Sequence, residues 1–163
     1  MSKSKVLLSN TDFLKLFGEE KLFEDTNAIF PAENESVSLP AVGISTKEKY
    51  LMDINRKRCT LTRITYQQRA KKTILMLRLD IDTKPHKNPD DTIIPGTHLH
   101  IYQEGYNDAW AYPLDSEELN NILKCNFDFK KLISMDQEAR FNYFCKLCNF
   151  TNYPLFQIPL DIH

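Results

Sequence analysis

Glycine is scarce in this chain, with four in 163 residues, too few for a glycine-rich repeat or a flexible linker. No G-x-x-x-x-G-K-[ST] loop occurs, which disfavours phosphate-loop nucleotide binding, and no G-x-S-x-G elbow occurs, which leaves a serine hydrolase without support. No stretch approaches the roughly 20 apolar residues of a membrane span. The opening "MSKSKVLLSN" follows its basic residues with only three apolar ones, too few for a signal-peptide core. A cytoplasmic protein away from membranes is therefore expected. Its four cysteines, Cys59, Cys125, Cys145 and Cys148, then read as reduced thiols rather than a disulfide framework. Internal repeats and low-complexity tracts are also missing.

Excess charge is lacking too, the net value being -1, but the charge is uneven. Positions 47 to 72 hold nine Lys or Arg against Glu48 and Asp53. Such a zone suits a polyanion, and Arg56, Arg58, Arg63, Arg69, Lys71 and Lys72 are its candidate substrate-binding residues. A solvated hairpin with lysine-guarded edges gives the same pattern.

What is present is an ordinary globular composition, 42% hydrophobic and 26% charged, on a length that fits one domain. Cap-type residues and the spacing of Phe13, Leu14, Leu16 and Phe17 predict a helix from about 10 to 23. Three β-branched and aromatic segments with period-two alternation, 49–56, 59–66 and 72–82, predict an antiparallel meander joined by "KR" and "QQRAK". A proline-rich excursion follows, then strands at 97–103 and 109–114. "DSEELNNIL" opens a helix with Asp115 or Ser116 as N-cap. "MDQEARFNYFCKLC" carries Phe141, Phe144, Cys145 and Cys148 on one helical face, so its C-x2-C reads as core rather than zinc. The expected fold is a single α+β domain over 1–163. An N-terminal helix and loop occupy 1–35, a five- or six-stranded antiparallel sheet 36–114, and C-terminal helices packed on one face with an extended tail 115–163.

Chemistry concentrates in "GTHLHIYQEGY". Alternation puts Leu99 and Ile101 on one face and His98, His100 and Tyr102 on the other. In "KTILMLRLDID" it separates Leu75, Leu77, Leu79 and Ile81 from Met76, Arg78 and Asp80. If both leucine faces serve one core, Arg78, Asp80, His98, His100 and Tyr102 converge opposite it, with His86 on the loop between the strands. The fourth histidine is His163.

Three readings compete. H-x-H followed by Glu104 resembles part of the cupin metal motif, which implies a divalent ion on His98, His100 and Glu104, although the later histidine-bearing strand motif is missing. A histidine pair can instead divide into a base and an acid near neutral pH. RNA supplies the matching substrate because its own 2'-OH attacks the adjacent phosphate, so no cofactor is needed. Arg78 would stabilise phosphoryl charge, Asp80 orient a histidine, and Tyr102 stack on a base or donate a proton. The third reading is a plain polar strand surface with an ordinary Arg78–Asp80 ion pair.

The segment from 51 to 114 resembles a bacterial domain family of unknown function, through "LMDINRKR", "TYQQR", "RLDIDTKPHKNPD" and "HLHIYQEGYNDAWAYPL". More distantly, the order Arg78-x-Asp80, Pro85-His86, His98-x-His100 is similar to TumE-like toxins of bacterial toxin–antitoxin systems. That likeness implies an RNA-directed, metal-independent endoribonuclease of toxin–antitoxin or mobile-element type, a cognate antitoxin as partner, and Arg78, Asp80, His86, His98 and His100 as site residues. A noncatalytic interaction protein of defence or anti-defence type is the alternative, beside the cupin-like enzyme.

Overall fold

A computed structural model describes residues 6–57 and 62–157. Arg58, Cys59 and His163, and the start of the strand expected at 59–66, lie outside the described residues. The chain runs α1 (Asn10–Gly18), β1 (Lys21–Phe23), β2 (Asn27–Ile29), β3 (Ser36–Gly43), β4 (Lys49–Asn55), β5 (Ile64–Ala70), β6 (Ile74–Ile81), β7 (His86–Lys87), β8 (Ile93–Ile94), β9 (His98–Ile101), β10 (Ala111–Pro113), α2 (Leu119–Leu123), α3 (Lys131–Ser134), α4 (Gln137–Leu147) and β11 (Leu155–Gln157). The fold is α+β. Seven strands form one antiparallel sheet in the order β1-β3-β4-β5-β6-β9-β10. No helix among the described residues is long and apolar enough to cross a membrane.

Alternation along the central strands builds the core. Tyr50, Met52 and Ile54 of β4, Ile64 and Tyr66 of β5, and Leu77 and Leu79 of β6 point to one face. Phe13, Leu16 and Phe17 of α1 and Phe141, Phe144 and Cys145 of α4 cover that face. Cys145 and Cys148 are wholly buried, and burial pushes the Cys148 thiol up to about 12, which suits packing and not thiolate chemistry. The opposite face carries Ser38, Asp53, Thr65, Gln67, Arg69, Arg78 and Asp80.

Several expected boundaries move. The sheet has seven strands because β1 and β3 join it, and "QQRAK" is largely strand, with Gln68 turned into the core between Met52 and Leu77. The first helix stops at Gly18 rather than reaching 23. Its end is fixed by Lys21, which begins β1 and is fully buried. The Lys21 ammonium donates to the carbonyls of Phe17 (2.8 Å), Glu19 (3.1 Å) and Cys148 (2.8 Å). All three belong to the C-terminal ends of α1 and α4, where orphan carbonyls favour a cation. Burial lowers Lys21 to about 8. Next to it the Glu19 carboxylate lies over Gly43, where a Cβ would stand 2.0 Å from Oε1, and accepts bonds from Tyr50, Ser45 and Thr46. For α2, neither Asp115 nor Ser116 is the cap; Ser116 Oγ instead accepts from Glu118 N at 3.3 Å.

Replacing Lys21 by methionine keeps the stem and removes all three donors. Urea denaturation of Lys21→Met is expected to show a loss of about 2–3 kcal/mol from the unanswered carbonyls. An unchanged midpoint would mean that the ammonium does not join the two helix ends.

Candidate functional site

The central pairing assembles the site. Asp80 lies opposite Thr65 on β5 and opposite His98 on β9, and Arg78 lies opposite His100. Because cross-strand partners share a face, the sheet register puts two imidazoles, a carboxylate and a guanidinium side by side on the face away from the core. Thr65 Oγ1 donates to Asp80 Oδ1 at 2.8 Å. Asp80 Oδ2 faces Arg78 Nε at 3.2 Å, His100 Nε2 at 3.3 Å and His98 Nε2 at 3.4 Å. The two Nε2 atoms are 3.0 Å apart. Arg78 also reaches His100 Nε2 through Nη2 at 3.0 Å and Asp108 Oδ2 through Nη1 at 3.1 Å.

Hydrogen-bond partners settle which ring nitrogens carry hydrogen. His98 Nδ1 lies 2.8 Å from the Gly96 carbonyl and His100 Nδ1 2.8 Å from the Asp108 carbonyl. Carbonyl oxygens only accept, so each Nδ1 donates and each neutral ring turns a lone pair at Nε2 toward the other ring and Asp80. Two lone pairs and an anionic oxygen at these distances repel unless positive charge lies among them, and the guanidinium of Arg78 supplies part of it. Burial alone would raise the Asp80 carboxyl, but the bonds that His100 and His98 give it when a proton sits on a facing Nε2, the charge of Arg78 and the Thr65 hydroxyl together hold it well below the usual carboxylate range. Burial lowers His100 below the ordinary histidine value, against the opposing pull of Asp80.

Two loops close over the cluster. Between β6 and β9, His86 sets its ring edge-on to His100 with centroids 4.6 Å apart, and its Nε2 donates to the Ala109 carbonyl at 2.7 Å. Asn88 fixes this loop by imitating a strand residue, its amide donating to Ala111 O at 3.0 Å and accepting from Ala111 N at 2.8 Å. The β9–β10 hairpin supplies Asp108. The imidazoles are 2% and 1% exposed, whereas Arg78 is 28% and Asp108 37% exposed, so the cluster meets solvent through the guanidinium and its outer carboxylate.

Arg78, Asp80, His86, His98 and His100 are thus brought together, whereas Tyr102, Glu104 and Arg69 are not. Tyr102 turns to the core, stacks on Phe13 with centroids 5.8 Å apart, and bonds both N and O of Leu8 at 2.8 Å. The cause is a β-bulge. Gln68 pairs with Leu77 but Arg69 with Leu75, so Met76 is an extra residue that joins the core and puts Leu75 on the other face. Tyr102 N donates to Met76 O just past the end of β9 and follows the same turn inward. Glu104 is exposed and accepts from Asn10 N at 3.0 Å, away from the histidines it was to join in a metal site. Arg69 forms a fork on Asp53 at 2.7 and 2.9 Å and gives its remaining nitrogen to Lys72 O, so its guanidinium is occupied.

The basic residues do not form one patch. Lys71 and Lys72 turn the β5–β6 hairpin at the end of the sheet opposite Asp80, while Arg56 and Arg63 flank β4 and β5 at the nearer end, Arg63 donating to Asp82 O at 3.1 Å. Arg56 donates to Pro31 O. Asp108 and Thr65 escaped the sequence reading. The hairpin implied by the two neighbouring strands was the signal for Asp108, since its loop must return beside His100.

A family of unknown function, DUF6978, matches residues 8–137, from the segment clasped by Tyr102 to the start of α4. The chain belongs to this family. No curated protein and no solved structure matches it significantly.

The reassignment of Tyr102 makes a direct prediction. Tyr102→Phe leaves the buried N–H and C=O of Leu8 unpaired, and chemical denaturation should show a loss of about 1–2 kcal/mol. Amide exchange at Leu8 should quicken at the same time. Unaltered protection of that amide would show that the hydroxyl does not hold the segment.

Proposed function

We propose that this chain is an RNA-directed endoribonuclease that needs no bound metal, with His98, His100, Arg78 and Asp80 as its working residues. The observation that carries the reading is the position of Arg78, whose guanidinium touches His100 Nε2, Asp80 and Asp108 at once. A base, an acid and a phosphate-holding group then lie within one hydrogen bond of each other.

The bonding supports a division of roles. His100 Nε2 accepts from Arg78, so it presents a lone pair and serves as the base that takes the proton from the ribose 2'-OH. That oxygen bonds to the adjacent phosphorus as the bond to the 5' oxygen breaks. A proton on His98 Nε2 goes to the leaving 5' oxygen, giving a 2',3'-cyclic phosphate and a free 5'-OH. Asp80 stays ionised, accepting from the protonated His98 Nε2 and from Arg78. A phosphate that takes Arg78 from the exposed carboxylate of Asp108 also draws it off His100, freeing the base when substrate is present. Arg63 and Arg56 at the same end of the sheet suit neighbouring phosphates.

The order Arg78-x-Asp80, His86, His98-x-His100 and its likeness to TumE-like toxins support RNA as the substrate. They also support a cytoplasmic toxin–antitoxin setting, in which a protein partner covers Arg78 and Asp108. The near-complete burial of both imidazoles favours a second reading, in which the network only rivets the two loops to the sheet and the protein binds a partner without catalysis.

Purified protein incubated with mixed RNA and a chelator should release fragments ending in 2',3'-cyclic phosphate. His98→Ala and His100→Ala should each lower the rate by about 10²–10⁴-fold while retaining the wild-type circular dichroism spectrum. RNA left intact at every protein concentration would sink the nuclease reading and leave the rivet.

A further inference from the structure

His98 Nε2, His100 Nε2 and Asp80 Oδ2 mark a triangle with edges of 3.0, 3.3 and 3.4 Å. Two atoms each about 2.1 Å from a metal ion lie about 3.0 Å apart at a right angle and about 3.4 Å apart at a tetrahedral angle. All three edges fall in that interval. The orientation of the donors matches as well as their spacing. Each ring gives its Nδ1 hydrogen to a main-chain carbonyl, Gly96 O or Asp108 O, the outer-shell bond that fixes the tautomer of metal-bound histidines. Asp80 Oδ1 is held by Thr65, so the carboxylate presents Oδ2 in a fixed direction. Among the described residues no other group of three His, Cys, Asp or Glu side chains converges in this way.

We propose that Asp80, His98 and His100 form a binding site for one first-row divalent ion such as Zn2+, and that the ion and the Arg78 guanidinium exclude each other from it. The donor set is two imidazole nitrogens and one carboxylate oxygen, which suits zinc and its neighbours and not the all-oxygen preference of Mg2+ or Ca2+. Exclusion follows from shared atoms. Arg78 Nη2 uses the His100 Nε2 lone pair and Arg78 Nε the Asp80 Oδ2, both of which an ion needs, and two cations cannot sit side by side at that separation without strong repulsion. On metal binding Arg78 retains Asp108, which it already holds through Nη1. Bound metal therefore removes both the base and the phosphate-holding group from the reacting position, and Zn2+ inhibits RNA cleavage. That last step rests on the nuclease reading; the binding and the exclusion do not.

The full-length protein is titrated with Zn2+ by calorimetry and with Co2+ by visible absorption, with Mg2+ in parallel. One equivalent of Zn2+ and of Co2+ should bind, and Mg2+ should give no heat. His98→Ala and His100→Ala should weaken binding at least a hundredfold, while Arg78→Gln, which removes the competing cation, should tighten it at least tenfold. Thermal melts of each variant exclude unfolding as the cause of a loss. Absence of a bound equivalent, or its persistence in the His98→Ala/His100→Ala double variant, overturns the site. Equal or weaker binding by Arg78→Gln overturns the exclusion. In the RNA assay, stoichiometric Zn2+ should stop cleavage and a chelator should restore it, whereas cleavage that continues at saturating Zn2+ overturns the inhibition. Metal binding as expected by a protein that never cleaves RNA overturns the nuclease reading alone.

Discussion

A carboxylate buried in the middle of a sheet is unfavourable unless its lone pairs are answered, and Asp80 sets that requirement for everything around it. Its two oxygens take a hydroxyl from β5, a guanidinium from its own strand and two imidazole edges from β9. The hydroxyl and both imidazoles arrive only in the observed register. A slip of one residue between β6 and β9 would turn His98 and His100 to the core face and Leu99 to the polar one. The charged residue that makes the sheet expensive to form therefore also makes its pairing specific.

Lys21 shows what a buried charge looks like when its role ends with structure. Its three hydrogens meet three carbonyls, none is left over, and the ammonium sits against the rings of Tyr50, Phe150 and Phe17. The Asp80 cluster is not closed in this way. Acceptors outnumber fixed hydrogens where the two Nε2 atoms and Oδ2 converge, and the one permanent cation among them, Arg78, is shared with an outer carboxylate that is more than a third exposed. A proton, a metal ion or a rearranged guanidinium can each supply the missing positive charge. Function is sought at Asp80 and not at Lys21 because only the first has alternative ways of being satisfied.

Period-two alternation made much of this legible. It placed Arg78 with Asp80 and His98 with His100 on the face away from the leucines, and the helical spacing of Phe141, Phe144 and Cys145 predicted the element that covers the core. Alternation assumes an unbroken strand, however, and the extra residue at Met76 reverses the parity of Leu75 and, through its partner, of Tyr102. Nothing local in "ILMLR" announces a bulge. The strand β3 was hidden by its serines and by Pro40. The proline is tolerated because its carbonyl, and so its missing N–H, points toward Glu24 and away from β4. The basic zone looked continuous because residues 47 to 72 are close in sequence, but the β4–β5 hairpin puts Arg56 and Arg63 beside its turn at one end of the strands and Lys49 and Lys71 at the other.

Access to the cluster is then decided by the loops rather than by the strands. Imidazoles at 1% and 2% exposure meet no substrate while His86 and Asp108 remain in place. The loop bearing His86 is held by the two Asn88 bonds to Ala111 and by one from His86 to Ala109, so its order depends on β10 being paired with β9. Asp108 sits on the turn that joins those same strands. One short hairpin thus orients His100 through a carbonyl, restrains Arg78 through a carboxylate and anchors the loop over both. A ligand that competes for Arg78 acts at the Arg78–Asp108 pair, which reaches solvent without a strand being broken. Opening therefore begins with loss of a partly exposed ion pair, a far smaller barrier than loss of strand pairing, and is completed by release of the His86 bond to Ala109.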